Sequence, residues 1–238
     1  MSTANDLREG GAWSPGQRVK NDVLWALASF ALAVAGRLPP GALRALGRSL
    51  GRAAHALAPG ARSTARGNVE RVFPELGASE RARLVRRCFV HLGELLGDTV
   101  AMLRPGERLP PLVVTPEARA VLAAARSGGR GVVFASAHLG PWERVAAALV
   151  SAGVPLVALG REAYDPRFSR LYERLRDAHG VRVLWRSRPG AAASILRTLR
   201  RGAVLGIPMD LRSRVAACDA PFLGHPAPTP VGPARIAL

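Results

Sequence analysis

Cysteine is scarce in this 238-residue sequence, which contains only Cys88 and Cys218. Neither cysteine belongs to a Cys-x-x-Cys pair or shows the spacing of a zinc finger. The sequence therefore argues against a disulfide framework and against a structural zinc site. We expect no metal ion in the functional site.

Lysine, acidic and aromatic residues are also few. All but Lys20 of the 34 basic residues are arginine, and only 17 residues are acidic, so the formal net charge is +17. Such a charge favours an anionic partner: nucleic acid, an anionic membrane surface or an acidic protein. Aromatic residues make up 5% of the chain, which leaves little for base stacking, and no helix-turn-helix or zinc-finger pattern is present. We therefore expect no nucleic-acid partner.

No uncharged apolar run is long enough to cross a bilayer. The segment Val23–Gly36 covers 14 residues, whereas a spanning helix needs about 20. A clean signal-peptide cleavage site does not follow it. The segment is therefore either a buried core helix or a helix lying in the membrane interface. Trp25 and the basic residues at both ends favour an interfacial anchor at about residues 23–36.

The hydrophobic pattern changes near residue 106. Before it, helical spacing predicts helices over 41–58, 61–72 and 79–103. After it, the pattern predicts strands at 112–114, 131–135, 155–159, 181–185 and 203–207, alternating with helices at 116–126, 142–152, 167–179 and 191–201. This alternation predicts an α/β fold with a mixed, mostly parallel sheet and flanking helices, preceded by an N-terminal helical segment.

Domain boundaries follow from this pattern. Residues 1–17 are polar and predicted to be disordered, residues 18–106 form a helical N-terminal region, and residues 107–238 form the α/β domain. The proline-rich residues 208–233 are predicted to be irregular. The last residues, ARIAL, predict the opening of another helix, so we expect the α/β domain to be incomplete at its C-terminus.

One junction between a predicted strand and a predicted helix carries residues suited to catalysis. The strand at 131–135 is followed by His138, by a Gly140-Pro141 turn and by a helix with Glu143 in its first turn. Loops at the carboxyl ends of parallel strands are where α/β sheets bind ligands. A carboxylate that contacts the imidazole would fix its tautomer, and His138 would then serve as a general base for a hydroxyl group. The alternative is that Glu143 caps the helix and His138 is an ordinary loop residue.

Several blocks of the sequence resemble one family. The segment GRGVVFASAHLGPWE, which contains His138 and Glu143, resembles the H-x4-D/E motif of glycerolipid acyltransferases. It is most similar to the GAI-x2-SAHLGNWE block of the bacterial lipid A biosynthesis acyltransferases, the lauroyl and myristoyl transferases of the lysophospholipid acyltransferase superfamily. Three further blocks also match that family: Gly160-Arg161 with Tyr164-Asp165-Pro166, LRTLRRGAVLGIPMD ending at Asp210, and the segment from Pro221 to Ala234.

The resemblance implies a role for each matching residue. His138 would be the general base that deprotonates an acceptor hydroxyl, and Glu143 would orient its imidazole. Arg161 would bind a phosphate of the acceptor or of the carrier's phosphopantetheine, although a solvated loop arginine is the alternative. Asp210 would contribute to substrate binding.

The same resemblance implies a membrane-associated O-acyltransferase of lipopolysaccharide synthesis at the cytoplasmic face of the bacterial inner membrane. Its donor would be an acyl thioester of acyl carrier protein or coenzyme A, used as a co-substrate with no bound cofactor. Its acceptor would be an anionic glycolipid, and more specifically a lipid A precursor. An acidic carrier protein and an anionic membrane surface would both suit the net charge. Family members continue beyond Leu238, so the resemblance implies a truncated C-terminus.

Other functions remain open at this point. Within the same class, the acceptor could be another glycolipid or a lysophospholipid. Outside it, charge alone suggests a basic nucleic-acid-binding protein. A truncated chain could also be a catalytically inactive membrane scaffold.

Overall fold

The computed structural model describes residue 7 and residues 11–104, 112–211 and 215–238. The chain divides into two compact units. The α/β unit comprises residues 1–34, 110–213 and 231–238, and the helical unit comprises residues 35–109 and 214–230. Residues 1–6 and 8–10, which belong to the segment expected to be disordered, lie outside the described residues.

The secondary structure follows the predicted alternation closely. The helices are α1 (Pro15–Ala35), α2 (Pro40–Leu57), α3 (Pro59–Val72), α4 (Ala78–Ala101), α5 (Pro116–Arg126), α6 (Trp142–Ser151), α7 (Pro166–Asp177), α8 (Ala191–Arg200) and α9 (Gly232–Ala237). The strands are β1 (Val132–Ser136), β2 (Leu156–Gly160), β3 (Arg182–Trp185), β4 (Val204–Pro208), β5 (Ala217–Phe222) and β6 (His225–Pro230). The predicted α/β fold class is confirmed.

The centre of the α/β unit is a four-stranded parallel sheet with the order β1-β4-β2-β3. Successive residues of β4 face opposite sides of the sheet. Leu205 packs with Ile195 of α8 on one side, and Val204 packs with Leu156 and with residues of α6 on the other. Because all four strands are parallel, their carboxyl ends share one edge of the sheet, which therefore collects the loops that follow each strand.

Two predictions of secondary structure are wrong. Residues 112–114 were expected to form a strand, but the described part of this segment carries no regular structure. The proline-rich segment after residue 208 was expected to be irregular, but it contains the antiparallel hairpin of β5 and β6. Proline removes backbone donors and so weakens the strand signal. The hairpin tolerates four prolines because some residues of a two-stranded ribbon need no ladder bond.

The helical unit is built on a close approach of α2 and α4. A Cβ atom added to Gly47 would collide with the carbonyl oxygen of Gly93, so these positions require glycine. Arg48 forms an ion pair with Glu94 along one side of the contact, at 3.4 Å. The N-cap of α4 is Gly77, whose backbone N–H donates to the Glu80 carboxylate at 3.1 Å.

Helix α1 is attached to the start of α7 within the α/β unit. Arg167 donates to Asp22 of α1 at 2.8 Å and to both carboxylate oxygens of Asp165, the N-cap residue of α7. Trp25 packs edge-on against Phe168, with ring centroids 5.2 Å apart. Trp25 is therefore half-buried in a protein contact, whereas the sequence suggested that it anchors the helix in a membrane interface.

Candidate active site

His138 lies in the loop between β1 and α6, at the carboxyl edge of the sheet. The strand ends at Ser136, and the chain turns at Gly140, whose φ of +62° favours glycine. Helix α6 then begins at Trp142, and its indole contacts the His138 ring edge to face, with centroids 5.2 Å apart. This contact and the tight turn hold the imidazole at the carboxyl edge of the sheet, where the His138 side chain is 30% exposed.

Asp210 is the carboxylate that contacts His138. It follows β4, the neighbour of β1 in the sheet, so the two loops meet. One carboxylate oxygen, Oδ1, lies 2.8 Å from the His138 ring nitrogen Nδ1. The other, Oδ2, accepts the backbone N–H of His138 at 2.7 Å. The two bonds fix both the position of the loop and the plane of the ring.

The charge state of Asp210 determines what the ring nitrogen does. Partial burial tends to raise the pKa of this carboxyl, but the hydrogen bonds from the side chain and backbone of His138 outweigh it, and the pKa is lowered. An ionised carboxylate can only accept hydrogen bonds. Nδ1 of His138 must therefore carry a hydrogen, which leaves Nε2 as the nitrogen able to take up a proton.

Glu143 does not occupy the position that the sequence suggested. Its carboxylate is 5% exposed and accepts two hydrogen bonds from Arg176 of α7, from Nε at 2.9 Å and from Nη2 at 2.7 Å. The Arg176 guanidinium also lies over the Tyr172 ring, 5.7 Å from its centroid. This two-bond geometry is the strong form of an arginine–carboxylate pair. The expectation that Glu143 orients the imidazole is therefore corrected: in the structure Asp210 contacts His138, and Glu143 joins α6 to α7.

Arg161 lies at the same edge of the sheet as His138 but two strands away. It directly follows β2, and β4 separates β2 from β1. Its side chain is exposed. Arg186 directly follows β3, and its backbone N–H donates to the carbonyl of Gly160 at 2.9 Å. Because β2 and β3 are adjacent strands, the backbone positions of Arg161 and Arg186 lie next to each other.

A cavity of about 240 Å³ lies away from these residues. It is lined by Val157, Arg182, Val183, Leu184, Ser194, Arg197, Thr198 and Arg201. Arg182 is the first residue of β3, and Arg197 lies near the C-terminal end of α8, so the cavity opens towards the opposite edge of the sheet. It contributes none of the residues predicted for the site. Within the described ranges, no group of three or more His, Cys, Asp or Glu side chains is arranged to hold a metal ion.

Comparison with known families decides between the classes of function that the sequence left open. The family model described as "Bacterial lipid A biosynthesis acyltransferase" matches residues 16–238. A match over this much of the chain establishes the family. The chain belongs to the bacterial lipid A biosynthesis acyltransferase family. A search of curated proteins gives no match.

Membership in the lipid A biosynthesis acyltransferase family makes the protein an acyltransferase, an enzyme that transfers acyl groups, and connects it with lipopolysaccharide synthesis. The family implies an acyl donor and a lipid A-type acceptor as substrates in general terms. The matched range contains every residue predicted for the site: His138, Glu143, Arg161 and Asp210. None of the helices in the described ranges combines the length and apolarity needed to cross a membrane.

The pairing of His138 with Asp210 is the feature of this family member that sequence reasoning missed. The two residues are 72 positions apart, so no local spacing connects them. Strand ends provide a usable signal, because each residue lies two positions after a strand of the sheet. The missing information was the strand order, which makes β1 and β4 neighbours.

Proposed function

We propose that the protein transfers a fatty acyl chain from an acyl thioester to a hydroxyl group of a lipid A precursor, with His138 as the general base. The observation that carries this proposal is the pairing of His138 with an ionised Asp210 at the carboxyl edge of the sheet. The donor is acyl carrier protein or acyl-coenzyme A. The enzyme needs no further cofactor, because the thioester is already an activated acyl group.

In the first step, Nε2 of His138 takes the proton from the acceptor hydroxyl as the hydroxyl oxygen attacks the thioester carbonyl carbon. Asp210 accepts the Nδ1 hydrogen bond throughout, which holds the tautomer and stabilises the imidazolium that forms. In the second step, the tetrahedral intermediate collapses, the carbon–sulfur bond breaks, and the imidazolium returns its proton to the leaving thiolate. The products are an ester and a free thiol, and His138 ends neutral.

The net positive charge of the chain supports the proposed donor and acceptor. Acyl carrier proteins are acidic, and a chain with a formal net charge of +17 attracts them at long range. The same charge suits a phosphorylated glycolipid and an anionic bilayer. Another glycolipid or a lysophospholipid is the alternative acceptor, and a comparison of acceptors in the same assay distinguishes them.

The outer face of α1 supports work at a membrane surface. Five apolar residues at helical spacing are strongly exposed along one side of the helix: Val19 (64%), Val23 (53%), Leu27 (62%), Phe30 (71%) and Val34 (45%). On the opposite side, Asn21 and Trp25 face the α/β unit. A helix with one apolar face exposed to solvent and the other face held by protein is suited to lie in a bilayer interface. We propose that it does so at the cytoplasmic face of the bacterial inner membrane, where acyl thioesters are available.

The test of the catalytic proposal is the substitution His138→Ala. Loss of a positioned general base lowers the rate by about 10²- to 10⁴-fold. Transfer of a radiolabelled acyl chain to a lipid A precursor is measured with both acyl carrier protein and coenzyme A thioesters, together with the circular dichroism of each variant. His225→Ala is the matched control, because this histidine is also half-buried but lies in the hairpin strand β6. Wild-type turnover by folded His138→Ala protein would overturn the proposal.

The test of membrane association is a charge placed on the apolar face of α1. Leu27→Glu and Phe30→Glu should each reduce the fraction of protein that sediments with vesicles containing anionic phospholipid. Ser63→Glu, at an exposed position of α3, adds the same charge on another helix and should leave that fraction unchanged. Equal sedimentation of all three variants would contradict a role for this face.

A further inference from the structure

The carboxyl edge of the sheet carries four polar residues in the loops that follow its strands. The strands lie in the order β1-β4-β2-β3. The residues one or two positions after their ends are, in the same order, His138, Asp210, Arg161 and Arg186. Neighbouring strands are about 4.8 Å apart. The backbone positions of Arg161 and Arg186 are therefore roughly 10 and 14 Å from that of His138 along the edge.

Arg161 and Arg186 occupy equivalent positions on adjacent strands. Gly160 pairs with Trp185 in the parallel register of β2 and β3, and each arginine is the next residue of its strand. The backbone N–H of Arg186 donates to the carbonyl of Gly160 at 2.9 Å, which extends this pairing beyond the strands. Both side chains are exposed. The backbone thus places the two arginines side by side.

The positive charges of this pair act on each other. Partial desolvation, and then the positive charge of Arg161, lower the pKa of the Arg186 guanidinium. The two like charges repel each other, and an anion bound between them would offset this repulsion. Arginine suits this role because its planar donors match the oxygens of a phosphate.

Arg188 provides a contrast two residues further along the same loop. It forms ion pairs with Glu162 at 2.9 Å and with Glu173 at 3.0 Å. Although partial desolvation opposes it, the hydrogen bond and charge of Glu162, followed by those of Glu173, raise the pKa of Arg188. Its charge is therefore compensated within the protein. No carboxylate partner of this kind is described for Arg186.

We propose that Arg186 acts together with Arg161 as a clamp for one phosphate group of a substrate. This inference rests on the proposed acyl transfer and deepens it by naming a second phosphate-binding residue. The shared chemistry is a phosphate group, carried either by the glycolipid acceptor or by the pantetheine arm of the donor. For an acceptor, the spacing from His138 suits a molecule whose phosphate and reacting hydroxyl are a sugar ring or more apart.

The experiment compares four full-length variants, Arg161→Ala, Arg186→Ala, Arg186→Lys and the control Arg188→Ala. Loss of a charge-assisted hydrogen bond should raise the KM for the phosphorylated partner by roughly tenfold to a hundredfold in Arg161→Ala and Arg186→Ala, with little change in kcat. Arg186→Lys should recover part of the loss, because lysine retains the charge without the planar donors. Arg188→Ala should retain a KM near that of the wild type.

Separate measurements of KM for donor and acceptor identify the source of the phosphate. A rise in the acceptor KM that disappears with a dephosphorylated acceptor assigns the clamp to the glycolipid. A rise in the donor KM alone assigns it to the pantetheine phosphate. Either result supports the clamp. Unchanged KM values in Arg186→Ala, or an equal rise in Arg188→Ala, would overturn it.

A binding measurement separates failure of the clamp from failure of the proposed reaction. Calorimetric titration with inorganic pyrophosphate should show binding to the wild type and to His138→Ala, and weakened binding to Arg161→Ala and Arg186→Ala. This outcome does not depend on acyl transfer. Equal binding by Arg186→Ala and the wild type would overturn the clamp even if His138 proves to be the general base.

Discussion

Two hydrogen-bonded side-chain pairs lie near the start of α6, and they differ in exposure. His138, in the loop before α6, and Asp210, after β4, have side chains that are 30% and 31% exposed. Glu143, in the first turn of α6, is 5% exposed, and its partner Arg176 is 18% exposed. The exposed pair contains an imidazole, a side chain suited to general acid–base chemistry. The buried pair joins the Glu143 carboxylate of α6 to the Arg176 guanidinium of α7 by two hydrogen bonds. The comparison supports the proposal that proton transfer belongs to the first pair, and it assigns helix positioning to the second.

The largest expected effect comes from breaking the exposed pair. Asp210→Ala removes the acceptor for Nδ1, so His138 can adopt the wrong tautomer and orientation. We expect kcat to fall by about 10²- to 10⁴-fold while the protein remains folded. Steady-state kinetics and thermal unfolding measure the two quantities. The control is Asp219→Ala, because Asp219 is an exposed aspartate in β5. A small change in kcat for Asp210→Ala would contradict a role for Asp210 in the mechanism.

Breaking the buried pair should act mainly on stability. Glu143→Ala leaves the Arg176 guanidinium largely buried without its carboxylate. Loss of one partner of such a pair lowers the free energy of unfolding by about 3 kcal/mol, at the lower end of the usual range because Arg176 keeps some contact with water. Urea unfolding measures the loss.

The activity of the folded Glu143→Ala protein completes this second test. We expect kcat, corrected for the folded fraction, to fall much less than in Asp210→Ala. A stable Glu143→Ala protein with no turnover would show that Glu143 acts in the chemistry and that the comparison is wrong.

A smaller effect is expected in the dependence of stability on pH. The lowered pKa of Asp210 means that the unfolded chain binds this proton more readily than the folded chain. Its stabilising contribution is therefore complete above the ordinary carboxyl pKa of about 3.9, and it is lost as pH falls through the lower folded value. Below about pH 5, the difference in free energy of unfolding between the wild type and Asp210→Asn should shrink as the pH falls.

Denaturant unfolding of both proteins across this pH range makes the measurement, with Asp219→Asn as the control. A difference that grows as the pH falls below about 5 would mean that the folded protein favours the protonated form of Asp210. The hydrogen bonds to His138 would then be absent in solution.

The local sequence pattern was sufficient to predict most of the secondary structure of the α/β unit. Strands β1 to β4 and helices α5 to α8 were predicted within one or two residues, because each combines a periodic apolar pattern with a clear turn or cap, such as Thr115 at α5. The hairpin was missed because Pro221, Pro226, Pro228 and Pro230 obscure its strand pattern. Its turn also contains Leu223 at a φ of +49°, a conformation that a leucine does not signal.

The sequence predicted which residues of the site lie at the ends of individual strands, but not which of them contact each other. The rule that ligands bind at strand ends identified His138, the resemblance to the acyltransferase family added Arg161 and Asp210, and all three lie at the carboxyl edge. Their contacts depend on strand order, which no local pattern contains. Glu143 was paired with His138 because the two are close in sequence, but its carboxylate contacts Arg176, 33 residues away.

The most direct test of the central claim is the pH dependence of kcat/KM in Asp210→Asn and Glu143→Gln. If Asp210 stabilises the imidazolium, the acid limb of the profile should move to lower pH in Asp210→Asn, because the asparagine no longer favours the protonated ring. Glu143→Gln should keep the acid limb of the wild type, whatever its effect on stability. The opposite result, a shifted limb in Glu143→Gln and an unchanged one in Asp210→Asn, would assign the imidazole to Glu143 and contradict the account.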